Sequence, residues 1–295
     1  MREGLFIKKN IEKWKEYQYQ ETTDPDEMAH RFTELVNDLG YSKTFYPHSK
    51  VTQYLNGLSS RIYLNIYKNK REETSRIWRF WKTELPLTVR KYHLTILIAF
   101  LIFTGFAIMA AFSAAHDETF VRGVLGDSYV EMTEENIAKG DPFGVYKNES
   151  ELNMFFYIAL NNIYVSFRVF VMGFVLGLGT IKEMFVNGVM IGSFQYYFFS
   201  KGLGLASVLV IWVHGTLEIA SIILAGAAGL IVGNSILFPG TIKRIHSLRK
   251  GTKDGLKIMI GIVPILLVAA ILESFVTRYS SMPRWLSASI LLASL

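Results

Sequence analysis

His214 and Glu218 are the residues whose type and spacing could do chemistry. They lie in residues 203–238, LGLASVLVIWVHGTLEIASIILAGAAGLIVGNSILF, where Asn234 is the one other strongly polar side chain. Four residues apart, they share one face of a helix. A carboxylate at membrane depth costs about 2.5–3.5 kcal/mol on insertion scales, so it must face protein or water and have a partner. Two readings are open: a proton- or ion-handling site, or a buried polar clasp that fixes helix packing. Arg168 and Glu273 are further ionisable residues in or near apolar segments. Arg168 keeps its charge at any accessible pH and needs an acceptor. Glu218, well inside its span, is the expected acceptor; Glu273, nearer an interface, is the alternative or is solvated. Asn161, Asn162 and Asn187 supply the amides of this polar intramembrane set.

The same residues limit what the chemistry can be. His214 and Glu218 offer two metal ligands, but the His-Glu-x-x-His pattern is absent and no third ligand stands out. No metal, cofactor or catalytic residue is therefore expected. The chain has no cysteine, which excludes thiol catalysis, disulfides and thiolate metal sites. No phosphate-cradling glycine loop is present, so coupling to ATP would need another subunit.

The elements that must position these residues are apolar helices. Of the 295 residues 51% are hydrophobic and mean hydropathy is +0.26, which points to an integral membrane protein with a sizeable polar portion. The run 203–238 would be roughly 54 Å long as one straight helix, against a hydrocarbon core of about 30 Å. It must tilt and protrude or break, with Gly215 as the expected break. Further spans are expected at 94–115, 154–179, 184–199 and 256–276, the last kinked by Pro264. Small residues recur at four-residue spacing: Gly173 and Gly177, Gly188 and Gly192, and Ala225, Gly229 and Gly233. Such stripes let helix backbones approach closely, within one chain or across a homo-oligomer. Residues 285–295 are apolar but too short to cross.

Charge sets the orientation. Residues 1–93 carry 17 Lys/Arg and 12 Asp/Glu, while 116–151 carry 3 and 9. The segment 241–257 has six Lys/Arg and one Asp. The positive-inside rule puts the head and that basic loop in the cytoplasm and the acidic loop 116–151 outside. An even number of crossings must then precede residue 241, which makes 184–199 a span and the total about five. The expected architecture is an all-α polytopic membrane helix bundle, 94–295, behind an N-terminal cytoplasmic helical head, 1–93. In the head, Phe6, Ile11 and Trp14, then Phe32, Leu35 and Leu39, then Val51, Leu55, Leu58 and Ile62 give apolar stripes at helical spacing. Asp24-Pro25 reads as a cap followed by proline in the first turn. Asn148-Glu149-Ser150 matches a glycosylation acceptor. The basic residues are interspersed with acids, so no nucleic-acid partner is expected.

Taken together, these motifs resemble the stage II sporulation protein M family of bacterial membrane proteins. The residues that carry the likeness are Asn161-Asn162 with the glycines after it, Asn187-Gly188, His214-Gly215-x-x-Glu218, Ala225 to Leu230, and Glu273 with Thr277. In the head they are Trp14, Tyr54-Leu55-Asn56 and Pro86 with Arg90. The resemblance implies a multi-pass protein of the bacterial inner membrane. Founding members serve spore formation as a scaffold for two peptidoglycan-degrading proteins, although most of the family occurs in bacteria that make no spores. It therefore implies a non-enzymatic scaffold whose partners are the lipid bilayer and other membrane or envelope proteins. The residues themselves leave a second function open, a transporter or permease component with a polar site around His214 and Glu218.

Overall fold

The structure, a computed structural model, describes every residue except 1, 21, 23, 69–75, 145–149, 278–283 and 295. The glycosylation match at Asn148 and Glu149 lies outside the described residues. Every regular element among them is a helix. The chain forms two compact units, Met1–Ile77 and Trp78–Leu295. The division falls earlier than residue 93, because 78–93 packs on the membrane bundle. Leu85 lies against Gly261, and Glu84 pairs with Lys257 at 2.8 Å.

The head is three helices, α1 (Glu3–Tyr19), α2 (Pro25–Phe45) and α3 (Lys50–Lys68). The Asp24 side chain accepts from the Asp26 amide with Pro25 in the first turn, as the sequence suggests. Phe6, Trp14, Leu35 and Leu55 from the three helices form the core. Trp14 is fully buried, and its indole N–H donates to Asp38 at 2.8 Å, so no polar atom is stranded by that burial.

Near the start of the second unit a π-helical stretch, Phe80–Glu84, runs into α4 (Leu85–Lys91), which leads into α5 (His93–His116). The acidic segment is mostly helical: α6 (Glu118–Leu125) and α7 (Asp127–Ala138) meet at Gly126, whose φ of 89° only glycine adopts freely. Val121 and Val130 tuck these helices onto Tyr197 and Phe198. Lys201 pairs with Glu134 at 2.8 Å, and that hydrogen bond holds the Glu134 carboxyl below its usual range. There follow α8 (Glu151–Val171), α9 (Leu178–Ser200), α10 (Gly204–Leu237), α11 (Arg244–Ile271) and α12 (Arg284–Ser294).

Among the described residues, four stretches are long and apolar enough to cross a membrane: His93–His116, Glu151–Phe174, Gly204–Leu237 and Arg244–Thr277. α9 falls short on hydropathy, since it carries Lys182, Glu183, Asn187 and Gln195. At 23 residues it nonetheless reaches about 34 Å. Short connections join it to α8 and α10, and it packs along α5.

Three expectations change. The 203–238 run does not break: α10 is continuous for 34 residues, and Gly215 is an ordinary helical residue. The second span ends early, in a 3₁₀ turn at Met172–Phe174 followed by left-handed Leu176 and Gly177, so Gly177 closes a turn instead of extending a helix. The basic segment 241–257 is largely the start of α11, because Gly251 and Gly255 fit against Ser235, Phe170 and the Ala228 carbonyl.

α10 is central, touching α5, α8, α9, α11 and α12. The glycine stripes are used inside the chain. Gly173 lies on the Gly229 backbone and Gly233 on Gly177, while Gly188 and Gly192 face the Phe103 and Ala107 carbonyls of α5. Ala225 is fully buried in the bundle core. Of the two expected uses of these faces, packing within one chain and across a homo-oligomer, the glycine contacts seen are of the first kind.

Gly173→Val is expected to lower the melting temperature in detergent, with an overpacking cost of about 1–3 kcal/mol; an unchanged melt would show that the seam is slack. For topology, single cysteines at exposed Ser128 and Thr241 are informative in this cysteine-free chain. Ser128→Cys should react with an impermeant maleimide in sealed cells and Thr241→Cys only after permeabilisation; the opposite pattern would invert the orientation.

Candidate functional site

Three elements build the site. On α10, His214 and Glu218 sit one turn apart on the same face. Asn162, halfway along α8, reaches across to Glu218. α11 ends in a π-helical turn, Leu272–Thr277, that carries Glu273 and Thr277. Such widened turns are frequent at functional sites. His214 is 7% exposed.

The polar contacts run in a chain. Asn162 Nδ2 donates to Glu218 Oε1 at 2.6 Å. The Thr277 hydroxyl lies 3.3 Å from the Glu273 carbonyl and 3.1 Å from His214 Nδ1. With the hydroxyl proton on the carbonyl, Nδ1–H donates to Thr277 and Nε2 carries the lone pair. Nε2 is 3.9 Å from Glu273 Oε1, too far for a hydrogen bond. One ligand atom from each of His214, Glu218 and Glu273 lies within 4.8 Å of the others.

A cavity of about 390 Å³ ends on this cluster. It is also lined by Leu125 and Tyr129 of α6 and α7, by Phe143, and by Phe194 and Trp212. Trp212 is steered by its indole N–H, which donates to Gln195 at 2.7 Å. The volume and the mainly apolar wall with polar groups at one end suit a small ligand.

Four of the seven expected polar residues come together: Asn162, His214, Glu218 and Glu273. Three do not. Arg168 lies at the other end of α8 beside the Gly177 turn, where it pairs with Glu183 at 3.0 Å. The expected Arg168–Glu218 pair is thus absent, because α8 ends soon after Arg168 and the turn brings Glu183 back beside it. Lys182 shares that carboxylate at 2.9 Å, and Asn187 donates to the Glu183 backbone carbonyl. Asn161 faces outward, one residue off the face that carries Asn162. Glu273 is not solvated at an interface but faces His214. Glu183 was missed; the Gly177–Gly179 turn signal just before it was the clue. Glu183→Gln and Arg168→Gln should couple by about 0.5–3 kcal/mol in a double-mutant cycle on thermal stability, while Arg168→Gln and Glu218→Gln should add; the reverse pattern would contradict these pairings.

The family described as Stage II sporulation protein M matches residues 98–278, which contain every residue of the cluster. A domain of unknown function (DUF8413) matches residues 4–68, the three helices of the head. No curated protein and no solved structure matches the chain. With the family match covering well over half its length, the chain belongs to the stage II sporulation protein M family.

Proposed function

We propose that this protein is a non-enzymatic component of the bacterial inner membrane that admits a small ligand or ion into its cavity from the outer side, as part of a transport system. The observation that carries this reading is the cavity that ends on His214, Glu218 and Glu273. A purely structural clasp needs its polar groups satisfied by one another. Here a buried imidazole nitrogen and two carboxylates face an open volume. The positive-inside rule supports the orientation, since Leu125 and Tyr129 of the acidic segment line the cavity while the segment 241–257 is rich in Lys and Arg.

The second reading is a scaffold for envelope-remodelling partners. It is favoured by the exposed acidic face of α7, where Asp127, Glu131 and Glu135 outnumber the Arg122 and Lys139 that pair with them. Both readings place the head in the cytoplasm.

Val210→Cys on the cavity wall distinguishes them. It should react with a small impermeant thiosulfonate in sealed cells, whereas cysteine at Val232, fully buried in the bundle, should stay silent. An inert Val210→Cys alongside a labelled Ser128→Cys would close the cavity to the outside. Envelope proteins that still co-purified with Glu218→Gln would then favour the scaffold.

A further inference from the structure

The cluster at the base of the cavity poses a charge problem. Glu218 and Glu273 lie beside one another in an apolar bundle, and two carboxylates that close cannot both ionise without a proton or a cation between them. The basic residue that the sequence offered, Arg168, sits on Glu183 instead. Among the described residues, no lysine or arginine pairs with Glu218 or Glu273. His214 is the nearest base, and its Nε2 makes no hydrogen bond among them.

We propose that His214 Nε2, Glu218 and Glu273 bind one divalent transition-metal ion of the Zn²⁺ or Mn²⁺ class. The imidazole and two carboxylates have the donor types such ions take, and the absence of thiolate argues against softer ions. The imidazole likewise argues against Mg²⁺ and Ca²⁺, which prefer oxygen donors throughout. Two negative charges are balanced by the dication, so the buried set becomes neutral. His214 and Glu218 at one-turn spacing provide two ligands from a single rigid helix, and the π turn supplies the third from α11.

Asn162 and Thr277 are the positioning residues. Thr277 accepts from Nδ1, which fixes the imidazole tautomer with Nε2 toward the site, and Asn162 holds one Glu218 oxygen and turns the other inward. Outer-shell partners of this kind commonly control metal affinity. Three protein ligands leave a coordination position facing the cavity, where water or an oxygen- or nitrogen-bearing ligand would sit.

This inference rests on the reading of the cavity as a ligand site, and the two fail differently. The full chain, stripped with chelator in detergent, is titrated with Zn²⁺ and with Mn²⁺ by calorimetry. We expect one ion per chain and a rise in melting temperature on metal addition. Glu273→Gln, nearly isosteric, should weaken binding at least tenfold and remove the thermal shift. Thr277→Val should weaken it less than Glu273→Gln does, by about tenfold, the lower end of outer-shell losses. Arg168→Gln, at the far end of the bundle, should bind as wild type. Absence of stoichiometric binding by the wild-type chain would overturn the proposal and leave a proton shared by the two carboxylates. Equal binding by a folded Glu273→Gln would overturn the ligand assignment. A labelled Val210→Cys with no metal binding leaves the cavity reading intact; metal binding with an inert Val210→Cys leaves the ion site and removes its access from outside.

Discussion

Helices in lipid gain nothing by hiding apolar surface from water, so close backbone packing must hold a bundle together. The bundle here depends on that constraint at α10. Gly229 and Gly233 lie against Gly173 and Gly177, Gly226 faces Met184, and Ala225, Ala227 and Ala228 are fully buried. Even a methyl group at Gly233 would meet the Gly177 backbone at 2.5 Å and push the Gly177 turn away. Because α10 can be approached from several sides, it carries the site: Asn162 on α8 and Glu273 on α11 reach the same face of one helix.

Polar groups are then confined to places where packing can satisfy them. At one end, Arg168 and Lys182 share Glu183, and Lys91 with Tyr92 holds Asp254. At the other, Lys201 and Arg122 meet Glu134. The cluster in between is different in kind. It has two acids and an imidazole with an unused nitrogen, and it borders open volume. Stability alone would favour filling that volume with apolar side chains.

The head is a separate problem in physics. Its three helices bury aromatic and aliphatic side chains around Trp14 in the manner of a water-soluble bundle, with the Asp24 cap on α2 and the Trp14–Asp38 hydrogen bond satisfying polar groups there. Its match to a family distinct from that of the membrane unit fits two folding units under different driving forces.

The sequence by itself determined the helical class, four of the apolar spans, the head's core stripes and the His214–Glu218 pair, because each is written in local periodicity, length or one-turn spacing. It also marked the glycines as contact points, since a missing Cβ matters wherever backbones meet. Only the tertiary structure decided which contacts they make and which charges meet. Arg168 and Glu183 are 15 residues apart across a turn, and Glu218 and Glu273 are on different helices; no local signal carries such pairings. Ending α8 at Val171, about two turns sooner than hydropathy suggests, leaves Arg168 near the helix end instead of deep in a span. Glu273 becomes a neighbour of His214 because the packing of α11 on α10, fixed by residues elsewhere along both helices, sets their register.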